Sequence, residues 1–206
     1  MPKQTYFNLS KRRQDEIRHT AMNLFIEREY ESIGVREIAA AIGVSVGCFY
    51  KYFEDKDEMY LYLLSDTEKK ISLAAASEGL SFFQGNTTLE FERYLDRTEY
   101  FFNLTWYRIP VSVYYKFYFN GYAEYVNPSL INELKYLESE RKLKQHITVE
   151  TALYCITSSM FNFLIYMRKR KLTDNKEEIA KHRKFLFEKL IFPAILNEDY
   201  YRAHYP

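Results

Sequence analysis

Gly43 restricts what this chain can fold into more than any other residue. It lies in the run Val35-Arg-Glu-Ile-Ala-Ala-Ala-Ile-Gly-Val-Ser-Val-Gly-Cys-Phe-Tyr-Lys-Tyr-Phe53. Ile38, Ala39 and Ile42 recur ahead of it at helical spacing, and a helix end at that point needs a residue that tolerates positive φ. Ser45 then stands as the N-cap of a second helix running through Tyr52, its hydroxyl placed to accept from that helix's free amides. Upstream, Ile17, Ala21, Leu24 and Phe25 form a stripe at i, i+4, i+7, i+8, so a helix from about Ser10 to Arg28 can cover the pair. Downstream, Asp55-Lys-Asp-Glu58 matches a capping box with Asp55 as N-cap. Two short helices joined by a tight Gly-containing turn are the helix-turn-helix pattern, whose second helix enters the major groove of DNA.

The run Ile17…Ala21…Leu24-Phe25…Tyr30…Val35-Arg36-Glu37-Ile38-Ala39…Gly43-Val44-Ser45-Val46-Gly47…Phe49-Tyr50-Lys51-Tyr52-Phe53-Glu54-Asp55-Lys56 resembles the TetR family of bacterial transcriptional regulators. The resemblance covers about the first quarter of the chain. It implies an all-α fold: a three-helix helix-turn-helix DNA-binding domain over residues 1–56 and a helical effector-binding and dimerisation domain over 57–206. The chain departs from the family at Glu29, where a Gly usually precedes the Tyr. It departs again at Ile33 and Gly34, where two Thr/Ser residues usually enter the second helix and a phosphate-holding hydroxyl is lost. Gly34 can still cap that helix, and its amide is placed to approach a phosphate.

In a docked recognition helix the N-terminal residues face the bases. Those are Val46, Gly47 and Cys48, with Lys51 one turn on; Ser45 and Arg36 complete the expected DNA-contact set. Val46 suits a thymine methyl, Lys51 suits guanine O6 or N7, and Gly47 lets backbone approach the groove floor. The family resemblance assigns Tyr50, Tyr52 and Lys56 to phosphates, although either tyrosine reads equally well as an edge-of-core aromatic. Phe49 and Phe53 read as core. Cys48 reads as a small residue that the groove admits, with a redox role the lesser alternative.

The net charge of +1 is not that of a strongly basic DNA binder, and residues 1–65 hold nine Lys/Arg against ten Asp/Glu. The positive charges are instead local, at Lys11-Arg12-Arg13, Arg18, Arg36, Lys51 and Lys56. Local placement decides phosphate contact, while net charge mainly tunes steering and non-specific affinity. Two cysteines, Cys48 and Cys155, do not make a disulfide framework. With no apolar signal-peptide core after Met-Pro-Lys-Gln, they predict a reducing, cytoplasmic location.

From Asp55 onward the pattern is one of amphipathic helices, with 47% hydrophobic residues to build a core. A connecting helix runs to about Ala76, and Ser77 to Thr88 reads as loop. Helices then follow over Leu89–Tyr107, Val111–Tyr125 and Pro128 to about Lys144. A long helix from about Thr148 to Arg170 is apolar on two sides, and a last one opens on the capping box Asp174-Asn-Lys-Glu177. The family commonly pairs its last two helices across a two-fold axis. That implies a homodimer whose interface takes Ile156, Met160, Phe163, Leu164, Met167, Leu186 and Leu190, with two heads about 34 Å apart on a palindrome. The apolar run from Thr151 to Met167 is too short to span a membrane, which needs ~20 residues, and Thr157, Ser158, Ser159 and Asn162 interrupt it.

Aromatic residues make up 18% of the chain. They crowd between Tyr94 and Tyr125, a composition suited to an apolar cavity with polar tips. Trp106, Tyr114, Tyr118, Tyr122, Tyr154 and Phe161 are the pocket candidates for a small hydrophobic or aromatic effector, and core filling is the plainer reading of any one ring. The histidines His19, His146, His182 and His204 show no metal-ligand spacing, and there is no phosphate loop or nucleophile motif. The sequence therefore predicts a ligand-responsive repressor with neither catalytic residues nor a metal or cofactor. The alternatives are a small-molecule carrier or enzyme built on the aromatic body, and an adaptor whose first domain contacts protein.

Overall fold

The computed structural model describes residues 2–78, 83, 93–119 and 128–205. The described residues are helical, with one isolated antiparallel bridge between Leu143 and Leu196. The helices are α1 (Gln4–Phe7), α2 (Lys11–Glu27), α3 (Val35–Ala41), α4 (Val46–Tyr52), α5 (Lys56–Ser77), α6 (Arg97–Thr105) and α7 (Val111–Phe119). They continue as α8 (Pro128–Ser139), α9 (Val149–Lys169), α10 (Lys176–Phe185), α11 (Phe192–Ile195) and α12 (Glu198–His204). A 3-10 turn spans Tyr30–Ser32, and a π-helical segment, Leu186–Ile191, joins α10 to α11. No described helix is long and apolar enough to cross a membrane.

By packing, the chain forms two compact units: Met1–Glu68 with Leu95–Val126, and Lys69–Tyr94 with Asn127–Pro206. The first is built on α2. Its stripe of Ile17, Ala21 and Phe25 is buried as the sequence predicts, together with Ile38 and Ala39 of α3 and Phe49 of α4. Tyr60 of α5 is fully buried, with its ring 5.2 Å from Phe25 and 5.0 Å from Phe102 of α6. Thr105 donates its hydroxyl proton to the Phe102 carbonyl, so Tyr60 donates to Thr105 Oγ1 at 2.5 Å. The buried phenol thus has a partner, without which burial would be costly. Arg18 of α2 binds Asp66 of α5, with Asp15 at 3.4 Å and the buried Glu99 of α6 at 3.9 Å.

The second unit has its core on Leu134 and Leu137 of α8, Ala152 and Ile156 of α9, and Phe187, Ile191, Phe192 and Ile195 toward the end of the chain. Several helix ends differ from the expected ones. The helix before Pro110 opens, among the described residues, at Arg97, where Asp96 and Glu99 form a capping box. The helix from Pro128 stops at Ser139, not near Lys144. Arg141 takes φ 53° there, while Lys142 N–H reaches the Leu137 carbonyl at 2.7 Å. α9 ends near Arg170 as expected, by the same geometry, Lys171 with φ 56° and Leu172 N–H on Met167 O at 3.0 Å. α10 is capped one residue later than predicted, by Asn175 accepting from Glu178 N–H at 3.1 Å. Gly121 and most of the predicted Ser77–Thr88 loop lie outside the described residues.

Candidate nucleic-acid interface

α3 opens at Gly34, whose N–H is given to the Glu37 carboxylate at 2.9 Å. The amide is therefore not available to a phosphate in this arrangement, contrary to the sequence expectation. That hydrogen bond, and then the Arg28 guanidinium beside it, hold the Glu37 carboxyl below the ordinary carboxylate range. α3 closes on Gly43 at φ 69°. Gly43 N–H bonds to Ala40 O at 3.1 Å and Val44 N–H to Ala39 O at 2.9 Å, the paired bonds of a Schellman end. Arg13 of α2 reaches over to donate to the Ile42 carbonyl at 2.6 Å, tying the turn to the helix behind it.

Beyond the turn, Ser45 Oγ accepts from Cys48 N–H at 3.1 Å and starts α4 as predicted. Phe49 and the following Phe53 are fully buried, so the opposite face of α4 must be outward. That face carries Ser45, Gly47 and Lys51, all exposed, with Val46 at 37% and Tyr50 at 45% exposure. A Cβ on Gly47 would find only Ser45 Oγ, at 4.0 Å, so the space in front of that backbone is open. Arg36 of α3 is also exposed.

Three of the predicted contact residues are placed differently. Cys48 and Tyr52 are half-buried. The hydrogen bond with Cys48, and then burial, push the Tyr52 hydroxyl above its ordinary pKa. Lys56 turns inward. Its ammonium donates to Tyr30 O at 2.7 Å and Ile33 O at 2.9 Å and lies 4.1 Å from the Tyr30 ring centroid. Burial lowers the Lys56 pKa, and its role in the described geometry is to hold the approach to α3. The Asp55 carboxylate accepts from Glu58 N–H at 2.7 Å, but Glu58 reaches back to Glu54 N–H, one residue before the position a capping box uses.

Sequence reasoning missed Lys3 and Thr5, which bind the far end of α4. Lys3 N–H donates to Tyr52 O and Lys3 Nζ to Tyr50 O, each at 2.8 Å, and Thr5 Oγ1 donates to Lys51 O. The one signal was the aromatic pair Tyr6-Phe7, too short a pattern to place.

The predicted pocket residues are divided between the two units. Trp106 and Tyr114 pack on each other with ring centroids 4.1 Å apart, and the buried Tyr114 donates to Trp106 O at 2.6 Å, which is a core pairing. Tyr154 is 72% exposed and Phe161 half-buried, both in the second unit. The Tyr118 side chain and all of Tyr122 lie outside the described residues. An open groove of about 680 Å³ runs along α9 and α10, lined by Phe163, Tyr166, His182, Phe185, Leu186 and Leu190 among others. Of the predicted dimer residues, Ile156, Phe163, Leu164 and Met167 are already buried within one chain, and Met160 and Leu186 are half-buried. Leu190 is 54% exposed. The π segment widens the turn after Phe185, so a stripe counted at 3.6 residues per turn loses its register there.

His19, Asp96 and Glu99 bring potential ligand atoms within 4.8 Å of one another, a juxtaposition that sequence spacing hides. One oxygen of each carboxylate caps α6, and Arg18 Nη2 stands 3.9 Å from Glu99 Oε1, a fixed cation where a metal would have to compete.

The family model "Bacterial regulatory proteins, tetR family" matches residues 17–63. Over 80 residues the chain is 34% identical to the HTH-type transcriptional repressor Rv1474c of Mycobacterium tuberculosis, covering 39% of this chain and 42% of that protein. Over 49 residues it is 43% identical to the uncharacterized HTH-type transcriptional regulator YwcC of Bacillus subtilis, covering 24% and 22%. The chain thus spans less than half the length of these relatives. The crystal structure of NalD, the secondary repressor of the MexAB-OprM multidrug efflux pump in Pseudomonas aeruginosa, shares the fold. It aligns with 92% of this chain and 100% of its own at a TM-score of 0.50 and 16% identity. Over residues 17–63, the helix-turn-helix head of this chain thus matches the tetR family of bacterial regulatory proteins.

Proposed function

We propose that this chain is a dimeric, sequence-specific DNA-binding transcriptional regulator, a repressor that leaves its operator when a small hydrophobic or aromatic effector binds. The sidedness of α4 carries this reading. Phe49 and Phe53 anchor one face in the core, and the other presents Ser45, Val46, Gly47, Tyr50 and Lys51 to solvent. On DNA, Val46, Gly47 and Lys51 address base edges, while Ser45, Tyr50 and Arg36 address phosphates. Cys48 and Tyr52 flank the reading face, and Lys56 acts from behind it by fixing the chain before α3. Residues 1–56 supply this activity and the remainder supplies dimerisation and effector control. The repressor sign is supported by the name of the Mycobacterium tuberculosis relative.

A second copy is supported by the apolar surface of α9, α10 and the π segment, where Tyr166, Phe185 and Leu190 line the groove and stand exposed. A face of this kind in water marks an interaction site, and a two-fold axis covers it with the same face of a partner. The direct test is selection from a random duplex library by the purified protein at moderate salt. Enrichment of an inverted repeat with half-sites about one helical turn apart, roughly 34 Å, is expected. A folded, ligand-free protein that enriches no sequence would sink this reading.

A further inference from the structure

A seven-residue helix is too short to be stable on its own account, so α4 depends on what holds its ends. Ser45 secures the N-terminus. At the C-terminus the carbonyls of Tyr50, Lys51 and Tyr52 have no acceptor role inside α4, because the last bond of that helix runs from Phe53 N–H to Phe49 O. All three are taken by one distant segment: Lys3 Nζ on Tyr50, Thr5 Oγ1 on Lys51 and Lys3 N–H on Tyr52. Lys3 also places a positive charge at the negative end of the helix dipole. Behind these bonds Pro2 and Tyr6 are buried. The Tyr6 ring lies 6.0 Å from Tyr52, 5.0 Å from Phe53 and 5.3 Å from Tyr62 of α5.

We propose that residues 2–7 are a strap that fixes the recognition helix in its reading orientation, with Lys3, Thr5 and Tyr6 as positioning residues. The proposal rests on the DNA-reading role of α4 given above. It makes a specific claim about Lys3: its ammonium acts on the protein backbone, not on a DNA phosphate, although a lysine beside a recognition helix invites the second assignment.

The test uses the full chain with Lys3→Gln, Thr5→Val, the pair together, and Thr5→Ser as the conservative replacement. Amide hydrogen exchange is followed without DNA, and affinity for the selected inverted repeat is followed across a salt series. Exchange of the Tyr50–Phe53 amides should quicken about tenfold in the single variants. DNA binding should weaken about tenfold, with the slope of log affinity against log salt unchanged, and Thr5→Ser should restore both. Unchanged exchange overturns the strap. A slope shallower by about 0.9 in Lys3→Gln also overturns it, because that is the mark of one lost phosphate contact. Exchange that quickens in a protein that enriches no DNA upholds the hold on α4 and overturns the regulator reading instead. If the double variant does not fold, Thr5→Val against Thr5→Ser decides the question alone.

Discussion

Among the described residues, three adopt left-handed backbone at the ends of helices, and one of these three is glycine. Gly43, Arg141 and Lys171 sit at φ 69°, 53° and 56°. An L-residue there costs about 1–2 kcal/mol, whereas glycine carries about 0.5–1 kcal/mol of extra chain entropy. Gly43→Ala should therefore lose about 1 kcal/mol in urea unfolding, with the strain coming from the backbone, since the new Cβ meets only Arg13 Nη2 at 3.7 Å. Lys171→Gly should gain about 0.5 kcal/mol by the same comparison. Glu37 provides a pH test. Its carboxyl titrates lower in the folded head than in the unfolded chain, because Gly34 N–H and then Arg28 favour the charged form. The stabilisation is complete above the unfolded pKa and disappears as pH falls through the folded one. Wild type should be more stable than Glu37→Gln at neutral pH, and the two should converge in acid; parallel curves across the range would exclude this role for Glu37.

At the scale of elements, the first unit is held by side chains that cross between helices. Arg18 is the clearest: a mostly buried guanidinium on α2 facing Asp66 on α5 and the 1%-exposed Glu99 on α6. Removing one member of such a group leaves the others charged in a poorly solvated place, which typically costs about 3–5 kcal/mol. Arg18→Leu should lower unfolding stability by roughly 3 kcal/mol, and a loss under 1 kcal/mol would mean water reaches these carboxylates. The ends of the helices show why local pattern reading is uneven. Ser45 caps as expected because a cap is a contact over three residues, and Ser10 and Thr148 cap the helices that were expected to begin near them. The end at Arg141 was overrun because the rule for helix stops looks for glycine, whereas the long helix stops at Lys169, close to the expected Arg170. Asp174 and Asn175 are both good caps, and only the path of the chain from Lys171 selects Asn175.

For the whole molecule, the decisive question is what covers the outer face of α9 and α10. Phe185 is 57% exposed and Leu190 54% exposed, and both line the groove. On the proposed dimer, Phe185→Glu combined with Leu190→Glu should yield a monomer in light scattering at micromolar concentration, where the wild type should be dimeric. Met167→Ala should instead cost about 2–5 kcal/mol in stability and leave the oligomeric state alone, since Met167 is fully buried in one chain. Dissociation by Met167→Ala with stability unchanged would reverse this assignment. An operator reached by two heads loses affinity sharply when they separate, so the double variant should also bind the inverted repeat far more weakly than wild type.

The sequence by itself determined the head. The Gly43 turn, the Ser45 cap, the α2 stripe and the burial of Phe49 and Phe53 all follow from contacts between residues a few positions apart, and helical periodicity records those. Only the tertiary structure decided the rest. Lys56 turns inward because carbonyls 23 and 26 residues back converge on it. The end of α4 is secured by residues 46 and 47 positions away, and the apolar side of α9 that stays outside is the one its neighbours leave uncovered. Such contacts join segments distant in the chain, and local periodicity cannot say which of them will meet.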